Sequence, residues 1–512
     1  MILPLSRRAV ILAAASLAGP ALADAPLTAL RPMARPGSVP PAAVPAPAAA
    51  PQAGPGAADY ITQARLGGTV GFVVADARTG LVLEQGHADL PQPPASVAKA
   101  MTTLYALDSL GAGYRFATRL IGTGPVTDGV LNGDLVLAGG GDPVLNTDHL
   151  ADMAARLKQA GVRRVTGALR VWAGALPAIH EIDPAQMAHL DYNPAVGGLN
   201  LNFNRVYFEW SRTGGPTNGR YTVTMDARTD RVRPVVSTSR IAVIDRDLPV
   251  YTYTQTDGVD DWTVARSALG RNGSRWLPVR NPGLYAGDVF RSLARAQGIE
   301  LGAAELAETL PAGTELVRLL SEPLADILQD MLKFSTNLTA EALGLSATVQ
   351  RGGRPRDLAA SARMMSDWAG SALGVGCQFV DHSGLNDASR ISADDMVRML
   401  VAAVGAVGGA GQLRGLMKDI VLTDAQGDAL RNPPATVVAK TGTLNFVSAL
   451  AGYIATAGGA DLCFAIFCAD PARREIALQS AEEIPDGARD WNHRAKRLQQ
   501  ELLQRWAAVY AG

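Results

Sequence analysis

The sequence predicts an α+β fold in which an antiparallel sheet is flanked by helices and interrupted by a large, mostly β inserted region. Strand patterns separated by glycine turns occur near both ends of the 512-residue chain, and helical patterns accompany them. Short strand-like pieces with glycine-rich turns lie in between. With 47% hydrophobic and 19% charged residues, a chain of this length buries a large core and divides into more than one domain.

The first residues have the pattern of a signal peptide. Arg7 and Arg8 precede an apolar run that ends in small residues at 21–23, as a cleavable export signal requires. Paired arginines suit a Sec or a twin-arginine (Tat) signal. Residues 1–23 are therefore predicted to direct export to the periplasm, and the Pro- and Ala-rich residues 24–58 to form an extended linker.

Folded structure is expected to begin near Asp59. Residues 70–76 and 81–84 predict a hairpin, and residues 97–110 predict a helix that ends at Gly111. Further strands are predicted at 436–442, 449–455 and 461–469, and in the middle of the chain at 206–212 and 221–226. Further helices are predicted at 284–297, 323–333 and 393–404. Strands from both ends could share one sheet.

The closing segment, residues 491–509, predicts an amphipathic helix. One face is apolar and carries Trp491, Ala495, Leu498, Leu502 and Trp506. Because arginines occupy the other faces, such a helix could lie on a membrane surface. Packing on the protein's own sheet is the commoner outcome, so membrane contact is possible but not required.

Charge and cysteine content exclude several classes of function. The formal net charge is -1, so no global cationic surface exists and no nucleic-acid partner is expected. Cys377, Cys463 and Cys468 are predicted to be buried small residues, the last two on opposite faces of one strand. No Cys-x-x-Cys pair occurs and the six histidines are scattered, so neither a disulfide framework, a metal site nor another cofactor is predicted.

The run Ser96-Val97-Ala98-Lys99 at the start of a predicted helix is the first candidate for chemistry. Residues three apart share a helix face, so Lys99 can reach the Ser96 hydroxyl, and a neutral lysine can accept its proton. Only six of the 47 basic residues are lysine, and lysine, unlike arginine, can lose its proton. An exposed pair on a helix surface is the plain alternative.

A second candidate, Lys440-Thr441-Gly442, ends a β-rich run. In a strand Lys440 and Gly442 share a face, and the missing side chain of Gly442 could let a substrate backbone lie along the strand edge. Lys440 could hold a terminal carboxylate and also lower the pKa of Lys99. A glycine turn with an exposed lysine is the alternative.

The third candidate is Ser335-Thr336-Asn337, between two helical segments. A hydroxyl and a carboxamide two residues apart could pass a proton and hold a substrate amide. Ser and Asn are also ordinary helix-capping residues. Together the three motifs occur in the order found in class A β-lactamases and penicillin-binding proteins, whereas Gly-x-Ser-x-Gly and His-Glu-x-x-His are missing.

With 239 positions from Ser96 to Ser335, the sequence resembles the D-alanyl-D-alanine carboxypeptidases and endopeptidases of the low-molecular-weight class C penicillin-binding proteins. This family is marked by a large insertion at that place. The resemblance runs from about residue 68 to residue 470. Other similar stretches lie at 133–135, 140–143, 200–204, 321–324, 381–385 and 390–392.

The resemblance implies a fold like that of β-lactamases and penicillin-binding transpeptidases. The two parts of this domain would be residues 59–117 and 283–512, with the inserted region at 118–282. It also implies three catalytic residues, with Ser96 as the acylated nucleophile, Lys99 as its base and Ser335 as the proton relay toward the leaving amine.

The remaining residues of the three motifs would bind substrate. The resemblance implies that Asn337 binds the substrate amide and that Lys440 and Thr441, followed by Gly442, hold the terminal carboxylate. The backbone N–H groups of Ser96 and Thr443 would form the oxyanion hole.

Two positions depart from the family. Where the family usually has a short acidic patch that contains an Asp and a Ser, this chain has Val-Trp-Ala-Gly at residues 171–174. Because of this change at Trp172, the preference for the stem peptide's diamino acid is left open. Phe334 stands where the family often has lysine, and Lys333 lies one step earlier.

The predicted function is that of a serine-type D-Ala-D-Ala carboxypeptidase, endopeptidase or both, acting on peptidoglycan stem peptides and acylated by β-lactam antibiotics. A serine β-lactamase and a non-catalytic peptidoglycan-binding protein are the alternatives. The oligomeric state is left open.

Overall fold

The computed structural model describes residues 55–215, 219–405, 410–480 and 482–511. The predicted signal peptide and all but the last few residues of the predicted linker lie outside the described residues. The first helix, α1 (Ala57–Ala64), begins two residues before the predicted start of folded structure at Asp59. No helix within the described ranges is both long and apolar enough to cross a membrane.

The predicted hairpin and the helix after it are confirmed. Strands β1 (Thr69–Asp76) and β2 (Val82–Gly86) are antiparallel. A short 3₁₀ turn at Ala95–Val97 then leads directly into α2 (Ala98–Leu110).

The middle of the chain is mostly β, as predicted. Its elements are β3 (Ala117–Gly122), β4 (Val126–Thr127), β5 (Val130–Leu131), β6 (Leu135–Ala138), α3 (Thr147–Gln159), β7 (Arg164–Val165), β8 (Leu169–Trp172), β9 (Arg205–Thr213), β10 (Arg220–Asp226), β11 (Ser239–Ile244), β12 (Tyr251–Thr256), β13 (Val259–Ala265), β14 (Asn272–Pro278), α4 (Pro282–Ala296), β15 (Ala304–Ala307) and β16 (Thr314–Leu320). They form a five-stranded sheet, β15-β8-β6-β3-β16, and smaller sheets β10-β9-β14, β11-β13-β12 and β4-β5-β7.

The core of this inserted region continues past residue 282. Tyr285 and Phe290 of α4 are buried in the same cluster as Leu120 of β3, and β16 pairs with β3. The predicted range 118–282 therefore ends before the last elements that pack into this core. The ranges predicted for the other parts of the chain stay predictions.

The rest of the chain contributes most of the helices and completes the long sheet. Its elements are α5 (Leu324–Phe334), α6 (Asn337–Gln350), α7 (Leu358–Leu373), β17 (Cys377–Gln378), β18 (Arg390–Ile391), α8 (Ala393–Gly405), α9 (Ala410–Leu416), β19 (Lys418–Asp419), β20 (Ala435–Leu444), β21 (Val447–Thr456), β22 (Asp461–Ala469), α10 (Pro471–Leu478) and α11 (Ala488–Val509).

Strands from both ends of the chain share one six-stranded antiparallel sheet, as predicted. Its order is β19-β20-β21-β22-β1-β2. Along β22 successive side chains alternate between the two faces. Cys463 belongs to the cluster beneath α2 and α8, and Cys468 to the cluster beneath α11. Cys377 is only half-buried, so the prediction that all three thiols are buried is wrong for that residue.

Helix α11 packs its predicted apolar face on the long sheet rather than presenting it to solvent. Trp491 and Trp506 are fully buried. Each indole N–H keeps a partner, because Trp491 Nε1 donates to the Leu66 carbonyl at 2.7 Å and Trp506 Nε1 to Glu84 at 3.0 Å. The long sheet is thus covered by helices on both faces.

Candidate active site

Ser96 lies in the 3₁₀ turn that starts α2, directly against strand β20. A Cβ atom at Gly442 would stand 2.7 Å from the Pro94 carbonyl oxygen and 2.9 Å from the Ser96 nitrogen, closer than any side chain tolerates. The space left by Gly442 is therefore filled by the turn that carries Ser96. That a substrate backbone lies against the strand edge at Gly442 stays a prediction.

Lys99 is fully buried one helical turn after Ser96. Its Nζ lies 2.9 Å from Ser96 Oγ, and it also donates to Asn337 Oδ1 and the Ser383 carbonyl, each at 2.8 Å. These three hydrogen bonds fix the Lys99 amine beside the Ser96 hydroxyl.

Burial is the main cause that lowers the pKa of Lys99, to about 8. The negative charges of Glu341 and Asp381 oppose this change. The expectation that Lys440 is the reason for a neutral Lys99 is not supported. Repulsion between the two amines instead adds to burial in lowering the pKa of Lys440.

Two buried carboxylates hold the loop that faces Lys99. Glu341, on α6, accepts the backbone N–H groups of His382 and Ser383, both at 2.9 Å. Asp381 accepts the N–H groups of Gly384 at 2.9 Å and Asn386 at 2.8 Å.

Burial raises the pKa values of both carboxyls, and for Glu341 the neighbouring Asp381 adds to the effect. Their hydrogen bonds aim the Ser383 carbonyl at Lys99.

His382 anchors this loop through a buried contact with α7. Burial lowers its pKa to about 3, so the ring is neutral, and its Nε2 lies 2.8 Å from Ser361 Oγ. A Cβ atom at Gly344 would come within 2.1 Å of the ring. Gly344 on α6 therefore leaves the space that the imidazole fills.

Ser335 and Lys440 form a second pair beside the first. Ser335 ends α5 in the left-handed conformation, with φ 61°, which turns the chain into α6. Lys440 Nζ donates to Ser335 Oγ at 2.9 Å and to the Thr441 carbonyl at 2.7 Å. Lys440 is buried, and burial followed by the charge of Lys99 moves its pKa well below the ordinary value.

Asn337 joins the site to the inserted region. Its Oδ1 accepts from Lys99, and its Nδ2 donates to the Tyr192 carbonyl at 3.0 Å. Asn386, in the loop held by Asp381, donates to Asp183 at 3.2 Å. Residues 183–192 of the inserted region thus form one wall of the site.

These residues border a cleft of about 560 Å³. Its lining includes Ser96, Gln186, Tyr192, Ser335, Asn337, Gly384, Leu385, Thr443, Leu444, Asn445, Arg474, Glu483, Arg489, His493 and Lys496. Thr443 is in this cleft, whereas Thr441 faces the adjoining groove between β20 and α11.

Neither departure from the family pattern lies in the cleft lining. Trp172 is on β8 and packs against Val136 and Ala138 in the five-stranded sheet. Lys333 lies over the exposed Phe334 ring, with 5.1 Å between its Nζ and the ring centroid. Lys333 therefore does not take the place of a lysine at Phe334 within the site.

Five of the predicted residues meet through side-chain hydrogen bonds: Lys99 contacts Ser96 and Asn337, and Lys440 contacts Ser335. The sequence motifs predict no role for Glu341, Asp381, the Ser383 carbonyl or Tyr192. The stretch 381–385 was noted only as similar to the family. Its acidic residue and paired small residues could have indicated a loop tied down by its own carboxylate.

A serine hydroxyl held by a buried lysine, beside a second serine and lysine, is the arrangement expected of a serine hydrolase with a lysine base. The model of the D-Ala-D-Ala carboxypeptidase 3 (S13) family matches residues 56–484. The chain belongs to this family, and it is a serine-type D-Ala-D-Ala carboxypeptidase.

Individual relatives agree with this assignment. The chain is 25% identical to D-alanyl-D-alanine carboxypeptidase DacB of Haemophilus influenzae, over 78% of this chain and 85% of the relative. It is 27% identical to the D-alanyl-D-alanine carboxypeptidase of Actinomadura sp. strain R39, over 83% and 84%.

The crystal structure of penicillin binding protein 4 (dacB) from Haemophilus influenzae superimposes with a TM-score of 0.69 at 20% identity, covering 88% of this chain and all of that chain. This likeness confirms the fold.

Proposed function

We propose that the protein removes the terminal D-alanine from peptidoglycan stem peptides through an acyl-enzyme at Ser96. The observation that carries the proposal is the distance of 2.9 Å between Lys99 Nζ and Ser96 Oγ, with Lys99 fully buried. A lysine with a pKa of about 8 is neutral in a useful fraction of molecules near neutral pH, which is what a general base requires.

In the acylation step Lys99 takes the proton of Ser96 as Oγ attacks the carbonyl carbon of the penultimate D-alanine. The backbone N–H groups of Ser96 and Thr443 stabilise the oxyanion. The C–N bond to the terminal residue then breaks, and the proton taken up by Lys99 reaches the leaving amine through Ser335, so that Lys99 is neutral again. Attack by water on the ester releases the shortened peptide and restores the Ser96 hydroxyl.

Substrate binding rests on Lys440, Thr441 and Asn337. No carboxylate among the described residues contacts Lys440, so a substrate carboxylate would supply the missing negative charge. Strand β19 pairs with β20 only at Val438 and Ala439. The following residues of β20 leave an open edge along which an extended peptide can lie, while Asn337 holds its amide.

The same chemistry accounts for β-lactam antibiotics as acylating inhibitors, because their strained amide presents a carbonyl to Ser96. We propose a periplasmic location, since the substrate lies in the cell wall and residues 1–23 have the pattern of an export signal. Sec and Tat export both remain compatible with that pattern.

Covalent labelling by a fluorescent penicillin tests the proposal. We expect labelling of the wild type and of Ser371→Ala, a control serine on the exposed surface of α7, and none of Ser96→Ala. Mass spectrometry should find the adduct on the peptide that contains Ser96. Labelling that survives in Ser96→Ala would overturn the assignment of the nucleophile.

Product analysis separates the related functions. Release of D-alanine from a pentapeptide indicates a carboxypeptidase, and cleavage of a cross-linked dimer indicates an endopeptidase. Rapid hydrolysis of the penicillin adduct would instead support a β-lactamase. Binding of peptide without any acylation would support the non-catalytic alternative.

A further inference from the structure

Helix α11 turns a row of basic side chains toward the catalytic cleft. Arg489, His493 and Lys496 are spaced four and three residues apart, so they share one face of the helix, distinct from its buried apolar face. All three are exposed and line the cleft that contains Ser96. We call these three residues the cationic stripe.

The cleft continues beyond Ser96 along this stripe. Thr443, His493 and Lys496 line both the Ser96 cleft and a groove of about 780 Å³ between β20, α11 and residues 423–427. Thr443 therefore lies at the boundary between the cleft and the groove, which together are called the joined space. A single terminal D-alanine is far smaller than the joined space.

The acidic groups in the joined space already have partners. Glu501 pairs with Arg497 at 3.0 Å. Asp424 accepts the backbone N–H groups of Gln426 at 3.0 Å and Asp428 at 2.9 Å.

Glu483 likewise lies 2.7 Å from both His189 and Arg275. Within the described ranges, by contrast, no acceptor contacts Arg489, His493 or Lys496. Arg489 and Lys496 therefore face the joined space without an acidic partner, and Asp424 keeps its negative charge because its partners are backbone N–H groups.

We propose that the groove is the subsite for the leaving group and that the cationic stripe selects leaving groups with a second carboxylate. The inference rests on the proposed function. With the acyl carbon at Ser96 and the first carboxylate at Lys440, any longer leaving group must pass Thr443 and reach α11. A side-chain carboxylate there would meet Lys496 and His493.

Two isosteric substrates test the proposal, with identical acyl parts and either D-Ala-D-Glu or D-Ala-D-Gln at the scissile bond. They differ by one charge in the leaving group. The quantity measured is the ratio of their kcat/KM values in the wild type, in Lys496→Gln and in His493→Gln. Lys158→Gln, which removes an exposed lysine from α3 of the inserted region, is the matched control.

We expect the wild type and Lys158→Gln to prefer the D-Glu substrate. Lys496→Gln should reduce the ratio about two- to fivefold, the range for a solvent-accessible ion pair, and added salt should reduce it as well. A wild-type ratio of one, or an unchanged ratio in both Lys496→Gln and His493→Gln, would overturn the inference. Failure of penicillin to label wild-type Ser96 would instead overturn the proposed function.

Discussion

The two buried lysines of the site have different surroundings. Lys99 lies near two carboxylates, Glu341 and Asp381, which limit the fall of its pKa to about 8. Lys440 is almost as deeply buried, yet among the described residues its Nζ donates hydrogen bonds only to the Ser335 hydroxyl and the Thr441 carbonyl.

One kind of side chain thus suits two purposes. An amine whose charge is balanced by the protein keeps a pKa near working pH and suits proton transfer. An amine without such a partner favours an anionic ligand, because the ligand alone supplies the balancing charge.

The largest expected effect comes from replacing Lys99, the lysine near the two carboxylates. Lys99→Met keeps much of the volume but removes the base, so acylation by fluorescent penicillin should slow by about 10²- to 10⁴-fold. Stopped-flow or gel labelling measures the rate, and circular dichroism checks that the variant folds. A folded variant that reacts within tenfold of the wild-type rate would contradict the role of Lys99.

The second prediction concerns the contact between Gly442 and the turn that carries Ser96. Gly442→Ala places a methyl group within 3 Å of the Pro94 oxygen and the Ser96 nitrogen, so the nucleophile must shift away from β20. A displacement of about 1 Å can cost about 10²-fold in rate. Gly370→Ala, where the nearest atom is 3.9 Å away, should leave acylation as it is. Equal rates for the two variants would refute the steric argument.

The third prediction concerns Lys440, the lysine without a carboxylate partner among the described residues. Lys440→Met should lower the preference for a substrate with a terminal carboxylate over its carboxamide by about tenfold, the low end for a charged hydrogen bond. The comparison of kcat/KM for the two substrates measures it. Lys418→Met removes a nearby charge that makes no contact with Ser335, and it should keep the preference. If both variants behave alike, general electrostatics rather than direct binding is responsible.

The smallest effect is a shift in pH dependence. Because neutral Lys99 is the reactive form, the wild-type acylation rate should rise with pH and level off above about pH 8. In Glu341→Gln a negative charge that raises the pKa of Lys99 is lost, so the midpoint should move down by about one unit. Rate against pH measures it, and an upward or absent shift would contradict the coupling.

The sequence predicted the hairpin, the C-terminal strands and the apolar face of α11 well, because each has a strong local periodicity. It also predicted that Ser96 and Lys99 meet, since three-residue spacing on a helix determines that contact. The extent of the inserted core was not predictable, because pairing between β16 and β3 depends on residues almost 200 positions apart.

The electrostatics of the site were harder to predict for the same reason. Glu341 and Asp381 reach Lys99 only through tertiary packing, so their effect on its pKa has no local pattern. No local pattern indicates the contact between Gly442 and the turn at Ser96, because the two lie more than 300 residues apart in the sequence. Lys440 is predicted from its place in Lys-Thr-Gly at the end of a β-rich run, but the burial that lowers its pKa does not show in the sequence.

The long sheet has a consequence for biogenesis. β1 pairs on one side with β2 and on the other with β22, which is synthesised only after nearly four hundred further residues. During synthesis the N-terminal hairpin therefore has one unsatisfied edge, and Lys440 cannot yet stand beside Ser335. Ser96 therefore acquires its neighbours on β20 only after that strand has been made.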